Sequence, residues 1–291
     1  MILVVGSTGL VGSSICLRLA QAGKPVTGLV RSTSDPAKVE RLKQAGVHLV
    51  TADLKDRASI DAACKGVSTV ISTASSTLSR QEGDSIASVD LEGQLGLVDA
   101  AKAAGVGHFV FISFSCQGEF PLQTAKRAVE ARIQQSGMNY TILQPAYFTE
   151  VWLGPALGFD YPNAKARIYG SGEAKMSWIS FEDVAAFAVA AIDNPKVKNG
   201  VFELGGPDAL SALEVVRAFE AAGGRPFALE HVPEEALRAQ VAAAPDPMSQ
   251  SFAGLMLSCA LGNTVDMKRA LAAMPVDMRR VHDYVKGALG G

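Results

Sequence analysis

A doubly wound α/β fold, a parallel sheet followed by a smaller mixed region, is predicted by three observations. The chain opens on Ile2-Leu-Val-Val5, an unbroken apolar run ending in two β-branched valines, which fits a strand buried on both faces. Short apolar runs then alternate with helical patterns as far as Pro145, and that rhythm implies a parallel sheet with helices on both sides. Beyond Pro145 the rhythm breaks into an aromatic, glycine-rich stretch, so a parallel-sheet region over 1–145 and a smaller region over 146–291 are expected, the second able to lend segments to the sheet of the first.

Each element has a local reason. After Ile2–Val5, the apolar residues Leu10, Val11, Ile15 and Leu19 take helical spacing. Val26–Val30 is the second strand, and Asp35-Pro36 then supplies an N-cap and a first helical residue for a helix running to about Gln44. Gly46 stops that helix, Val47–Thr51 is the third strand, and Arg57–Cys64 the third helix, ending at Gly66. Val67–Ser72 is the fourth strand, Ser75–Asp84 a polar connection, and Ser85–Ala104 one long helix. His108–Ser113, Leu122–Gln135 and Tyr140–Leu143 complete the alternation as strand, helix and strand. Further on, strand-like pieces fall at Ala166–Tyr169 and Val201–Leu204, and helices at Glu182–Ile192, Ala212–Ala222, Glu234–Ala243, Ser249–Leu261 and Asp277–Ala288. Right-handed crossovers make the doubly wound arrangement the natural outcome.

The first turn carries the chemistry. Gly6, Gly9 and Gly12 stand three residues apart between a strand and a helix. Glycine allows a tight reversal and a close backbone approach, and the new helix aims unpaired N–H groups and its positive dipole end at the same spot. That arrangement suits the phosphates of a dinucleotide. A triphosphate-binding P-loop is disfavoured, because Ser13 and Ser14 follow Gly12 where a Lys-Ser/Thr pair would sit. The competing reading is a plain glycine turn.

Composition narrows the field. Of 291 residues, 48% are hydrophobic and 19% charged, and the formal net charge is -2, so neither a nucleic-acid footprint nor a charged tail is present. Cys16, Cys64, Cys116 and Cys259 are scattered, and His48, His108, His231 and His282 lack metal spacing, so reduced thiols and no metal site are expected. Met1 leads directly into the first strand and no apolar run approaches a membrane span. A cytoplasmic monomer or homodimer acting on a small molecule is expected.

Arg31 ends the second strand, where the fold presents the adenosine ribose; with the hydroxyls of Ser32, Thr33 and Ser34 it suits a 2′-phosphate and so favours NADPH over NADH. The competing reading is a solvated surface arginine. Asp53, after the third strand, can accept from an adenine amino group or cap a turn. Ser72, Thr73 and Ala74 end the fourth strand beside the expected nicotinamide ribose, or simply cap it.

Gly6-Ser-Thr-Gly-Leu-Val-Gly12, Arg31, Ala52-Asp-Leu54, Val89-Asp-Leu-Glu-Gly93, Phe111-Ile-Ser113, Lys126, Leu143-Gln-Pro145, Asp183-Val184 and Leu204-Gly-Gly-Pro207 occur in that order. Together they resemble the NmrA-like group of atypical short-chain dehydrogenases, with a Rossmann fold, which includes quinone and dye reductases, isoflavone-reductase-like enzymes and redox-sensing regulators. The resemblance implies NADP held across the strand ends and a substrate pocket beneath the C-terminal region. It implies that Gly6, Thr8, Gly9, Leu10, Val11 and Gly12 hold the pyrophosphate, Arg31 the 2′-phosphate, and Asp53 with Leu54 the adenine.

One departure matters. Many short-chain dehydrogenases place Tyr-x-x-x-Lys on the helix after the fifth strand, the lysine binding the nicotinamide ribose and lowering the tyrosine pKa. Here Lys126 is present and Leu122 stands four residues before it. Without that phenol, a flat conjugated acceptor such as a quinone suits the chain better than a simple ketone, whose alkoxide needs a proton or an oxyanion partner. Tyr147, Phe148 and Trp152 can stack such an acceptor, Tyr147 can replace the missing phenol from another element, and Ser113 and Ser115 are weaker polar candidates. The expected function is therefore an NADPH-dependent reductase with Lys126 and Tyr147 at its centre, and the alternative is a non-catalytic NADP(H)-responsive regulator.

Overall fold

A computed structural model describes residues 1–78, 81–116 and 118–290. In chain order the first half runs β1 (Ile2–Val5), α1 (Leu10–Gln21), β2 (Val26–Val30), α2 (Pro36–Gln44), β3 (His48–Thr51), α3 (Arg57–Ala63), β4 (Thr69–Ser72), a π-helix (Ile86–Gly93), α4 (Gln94–Ala103), β5 (His108–Ile112), α5 (Pro121–Gln135) and β6 (Asn139–Pro145). The second half continues with α6 (Thr149–Trp152), β7 (Phe159–Asp160), β8 (Lys165–Tyr169), β9 (Lys175–Ser177), α7 (Phe181–Ala191), β10 (Gly200–Leu204), β11 (Ala209–Ser211), α8 (Ala212–Gly223), β12 (Ala228–Val232), α9 (Glu234–Ala243), α10 (Pro247–Leu261), α11 (Lys268–Ala273) and α12 (Val281–Gly290).

Seven parallel strands form the main sheet in the order β10-β6-β5-β4-β1-β2-β3. The predicted doubly wound Rossmann-like fold is therefore found. Both faces of β1 are buried, as its continuous apolar run required. Ile2 and Val4 join a core with Val11, Ile15 and Leu19 of α1 and Val184, Phe187 and Ala188 of α7. Leu3 and Val5 join the opposite core with Ile60 of α3, Leu97 and Val98 of α4, and Val129 and Ile133 of α5. Strand order reverses between β1 and β4, and such a switch point opens a crevice outside the carboxyl ends of the strands. Val5 pairs with Ser72 at that end, so the glycine turn and Thr73 emerge side by side.

Several elements differ from the sequence expectation. The long helix over 85–104 divides into the π-helix, opened by a Ser85–Ser88 capping box, and α4. Strand β6 continues to Pro145, whose missing N–H costs nothing at the strand end. Strand β10 from the second half pairs with β6 and completes the sheet. The rest of the second half forms a two-stranded sheet (β9, β11), a three-stranded sheet (β7, β8, β12) and helices around a third core containing Phe219, Trp178 and Tyr147. Of the predicted polar connection over 75–84, residues 79 and 80 lie outside the described residues.

Candidate active site

The glycine turn is shaped by contacts that leave no room for a Cβ. Gly6 has φ +86°, and a Cβ there would lie 2.6 Å from Thr73 Oγ1 and 2.8 Å from Ala74 N. A Cβ on Gly12 would lie 2.2 Å from the Gly6 carbonyl oxygen. The Gly9 N–H donates to that same oxygen at 2.9 Å. Gly9 is the N-cap of the twelve-residue helix α1; no side chain caps it and no acid occupies its first turn. The first N–H groups of α1 thus face the crevice, an arrangement that attracts anions.

A cleft of about 640 Å³ runs along the strand ends from this turn to the second half of the chain. Its walls contain Gly6, Thr8, Gly9, Leu10, Val11, Arg31, Asp53, Leu54, Thr73, Ala74, Lys126 and Tyr147. Gly12 and Ser72 stand behind that wall. Gly12 lets the helix approach Gly6, and the buried Ser72 hydroxyl donates to Gln94 Oε1 at 2.8 Å. Gln94 in turn donates from Nε2 to the Ala74 carbonyl at 2.9 Å, fixing the backbone of the rim.

At one end of the cleft stands Arg31, immediately after β2, and its backbone N–H donates to Ser34 Oγ at 2.9 Å. Its guanidinium Nη1 lies 2.6 Å from Asp84 Oδ2, and Lys55 Nζ lies 2.7 Å from Asp84 Oδ1. Burial opposes ionisation of Asp84, but hydrogen bonds from Lys55, Arg31 and the Gln81 backbone outweigh it and hold the carboxyl below its usual range. Asp53 accepts from the Lys55 backbone N–H at 2.9 Å and so caps its own turn, with its neighbour Leu54 also on the cleft wall.

Lys126 lies on the wall further along and is itself buried, with Nζ 3.3 Å from Asp90 Oδ1 and 5.2 Å from the centre of the Phe111 ring. Asp90 belongs to the π-helix and is fully buried; its other oxygen accepts from the Ser76 N–H at 3.0 Å and the Ser76 hydroxyl at 2.6 Å. One turn before Lys126, Leu122 contributes only hydrocarbon to the wall. Ser113, after β5, lines the cleft with a buried hydroxyl that has no hydrogen-bond partner among the described residues.

The aromatic end is closed by α10. Phe252 and Leu255 of that helix face Tyr147, Phe148, Val151 and Trp152 across the cleft. The Tyr147 hydroxyl donates to the Leu255 carbonyl at 3.0 Å, and its ring meets Trp152 edge-on with centroids 4.6 Å apart. Burial raises the Tyr147 pKa well above the ordinary phenol value, so the group holds its proton. Ser115, also on the wall, donates to Glu203 Oε1 at 2.8 Å.

Sequence reasoning singled out neither Lys55 and Asp84 nor Asp90 and Ser76. Asp90 carried a readable signal, an acid on the helical face that also holds Ile86, Val89 and Gly93, all of them buried. Of the four histidines, His108 pairs with Thr141 Oγ1 at 2.9 Å inside the sheet. Among the described residues no cluster of three or more His, Cys, Asp or Glu could hold a metal, and no helix is long and apolar enough to cross a membrane.

The strand order, the glycine turn and the crevice at the switch point define a Rossmann-like α/β protein with its pocket at the strand ends. More particularly, the chain belongs to the NmrA-like family, which it matches over residues 1–284. It is 35% identical over 230 residues to an NAD(P)H azoreductase of Xenophilus azovorans, covering 78% of this chain and 75% of the relative. It is 34% identical over 266 residues to an isoflavone reductase homolog of Zea mays, covering 85% and 82%. The fold is shared with an NADPH-dependent quinone oxidoreductase of Escherichia coli solved with NADPH, at a TM-score of 0.80, 21% identity and 99% coverage of both chains.

Proposed function

We propose that the protein is an NADPH-dependent reductase that passes a hydride to a flat conjugated acceptor, of which quinones are the leading class. One observation carries this reading: a single cleft joins an uncapped helix start, suited to a diphosphate, to a wall of the aromatic rings of Tyr147, Phe148 and Trp152. The names of the relatives, an azoreductase and an isoflavone reductase homolog, support the reaction class. Bound NADPH supplies the hydride from its nicotinamide, and the protein supplies binding, orientation and shelter from water.

Gly6, Thr8, Gly9, Leu10 and Val11 present the turn and the α1 N–H groups to the pyrophosphate, with Gly12 making the approach possible. Arg31 serves the 2′-phosphate, Asp53 and Leu54 flank the adenine, and Thr73 and Ala74, braced through Ser72 and Gln94, border the nicotinamide ribose. Lys126 binds that ribose through its ammonium, held in place by Asp90. Tyr147, Phe148 and Trp152 form the stacking wall. Because the Tyr147 hydroxyl is committed to Leu255, Tyr147 contributes its ring rather than a proton. An acceptor whose added charge is delocalised needs no acid in the transition state, which suits a pocket where Leu122 stands one turn before Lys126 and the Tyr147 hydroxyl is bonded to Leu255.

The test is NADPH consumption by the purified protein with a panel of quinones, azo dyes and simple ketones. Turnover with the conjugated acceptors and not with the ketones is expected. Tight NADP binding with no turnover of any acceptor would replace this reading with that of a redox-responsive regulator.

A further inference from the structure

Arg31, on the wall at the adenosine end of the cleft, and Lys55 beside it already share an anion. Three donors converge on Asp84: Arg31 Nη1 at 2.6 Å, Lys55 Nζ at 2.7 Å and the Gln81 backbone N–H at 3.0 Å. Two cations and a backbone amide are the set of donors a phosphate group would seek. Nor is Asp84 a stray surface acid, for its side chain is only 1% exposed. The residue before it, Gly83, has φ +77°, and its carbonyl accepts from Ser88 Oγ at 3.0 Å. The residue after it, Ser85, caps the π-helix that carries Asp90. The backbone on both sides therefore fixes the carboxylate against Arg31.

In dinucleotide folds an acid facing the ribose accepts from the 2′-hydroxyl of NAD and repels the 2′-phosphate of NADP, and it ordinarily stands at the end of the second strand. Here that strand ends in Arg31, and the acid arrives from a connection more than fifty residues later. We infer that Asp84 is a coenzyme-selectivity residue: its carboxylate occupies the seat between Arg31 and Lys55 that a 2′-phosphate requires, and so narrows the preference for NADPH over NADH. This rests on the proposed coenzyme site. A 2′-phosphate must share or displace the carboxylate, whereas a ribose hydroxyl donates to it. Lys55 then becomes a second cation of the phosphate seat, released when the carboxylate is neutralised.

The experiment is titration of NADPH and NADH against the wild type, Asp84→Asn, Arg31→Ala and the double variant, each checked for folding by thermal melting. Asp84→Asn is expected to tighten NADPH about tenfold, the size of one lost charge repulsion, and to leave NADH unchanged or weaker. In the Arg31→Ala background that gain should be smaller, since only Lys55 is then released to the phosphate. Weaker NADPH binding in Asp84→Asn would mean that the carboxylate orients Arg31 for the phosphate, and an equal shift for both coenzymes would mean that it only shapes the loop; either result overturns the inference. If Asp84→Asn does not fold, Asp84→Ser gives the same comparison. A wild type that binds neither coenzyme would overturn the proposed site itself, and this inference with it.

Discussion

Replacing Lys126 by Met tests the buried pair at the centre of the cleft. The side chains of Lys126 and Asp90 are 5% and 0% exposed, and their charged atoms lie 3.3 Å apart. Methionine preserves most of the side-chain volume and removes only the cation. Asp90 would keep its two hydrogen bonds from Ser76 but lose the charge that compensates its own. One-sided breaking of a buried pair costs about 3–5 kcal/mol, and the bonds from Ser76 place this case near the lower end, about 3 kcal/mol. Against a total stability of about 5–15 kcal/mol, the variant should fold but unfold at clearly lower urea. Adding Asp90→Asn removes the stranded charge, so Lys126→Met/Asp90→Asn should recover about 2 kcal/mol relative to Lys126→Met. Urea denaturation of the two single variants and the double variant measures that coupling. A cost below about 1 kcal/mol for Lys126→Met, or no recovery in the double variant, would refute the picture of a buried, mutually dependent pair. The comparison also separates instability from loss of the proposed coenzyme contact, which activity lost in Lys126→Met alone would mix.

Gly12→Ala should cost about 1–3 kcal/mol and abolish NADP(H) binding, because its Cβ would lie 2.2 Å from the Gly6 carbonyl oxygen; wild-type affinity in a coenzyme titration would dismantle the cradle. Tyr147→Phe should lose about 1 kcal/mol with its bond to Leu255, measured by denaturation, and should lower turnover less than tenfold, whereas a fall of about a hundredfold would make Tyr147 the proton donor. Asp183 gives a pH signature: burial raises its pKa from 3.8 to about 6, and the Arg279 backbone N–H offsets only part of that rise. The folded chain therefore holds this proton more tightly than the unfolded chain, so the stabilising contribution is complete below pH 3.8 and lost as pH rises through about 6. Asp183→Asn, lacking that loss, should gain stability relative to the wild type across this interval; a difference in melting temperature that does not change with pH would reject the assignment.

Much of the scaffold was legible because its physical signals are local. The runs Ile2–Val5 and Val26–Val30 announced strands covered on both faces, and the glycines after the first marked a turn with no room for a Cβ at Gly6 or Gly12. Asp35-Pro36 announced α2, and its carboxylate does cap that helix by accepting from the Ala37 N–H. The small strands β7, β9 and β11 were not legible, since two or three residues cannot establish a period of two. The π-helix was hidden because π-helical and α-helical turns share much of one apolar face. Asp84 lay beyond local reasoning altogether, because its meaning comes from Arg31 and Lys55, brought to it by separate elements of the sheet. Tyr147 was legible as an aromatic beside the pocket, but the direction of its hydroxyl depends on α10, more than a hundred residues away.

The pairing of β10 with β6 has a consequence for how the cleft can be altered. The stretch between them, residues 146–199, is an elaborated crossover joining two neighbouring parallel strands, with α7 doing the structural work of the connection and α6 and β7–β9 added ahead of it. Tyr147, Phe148 and Trp152 sit at the head of that inserted stretch. Substitutions within that one stretch can therefore reshape this wall of the cleft, with the strand register on either side unchanged. Removal of everything after Pro145 would be a different matter, because it would strip the hydrogen-bonding partner from β6 and leave a bare sheet margin prone to self-association.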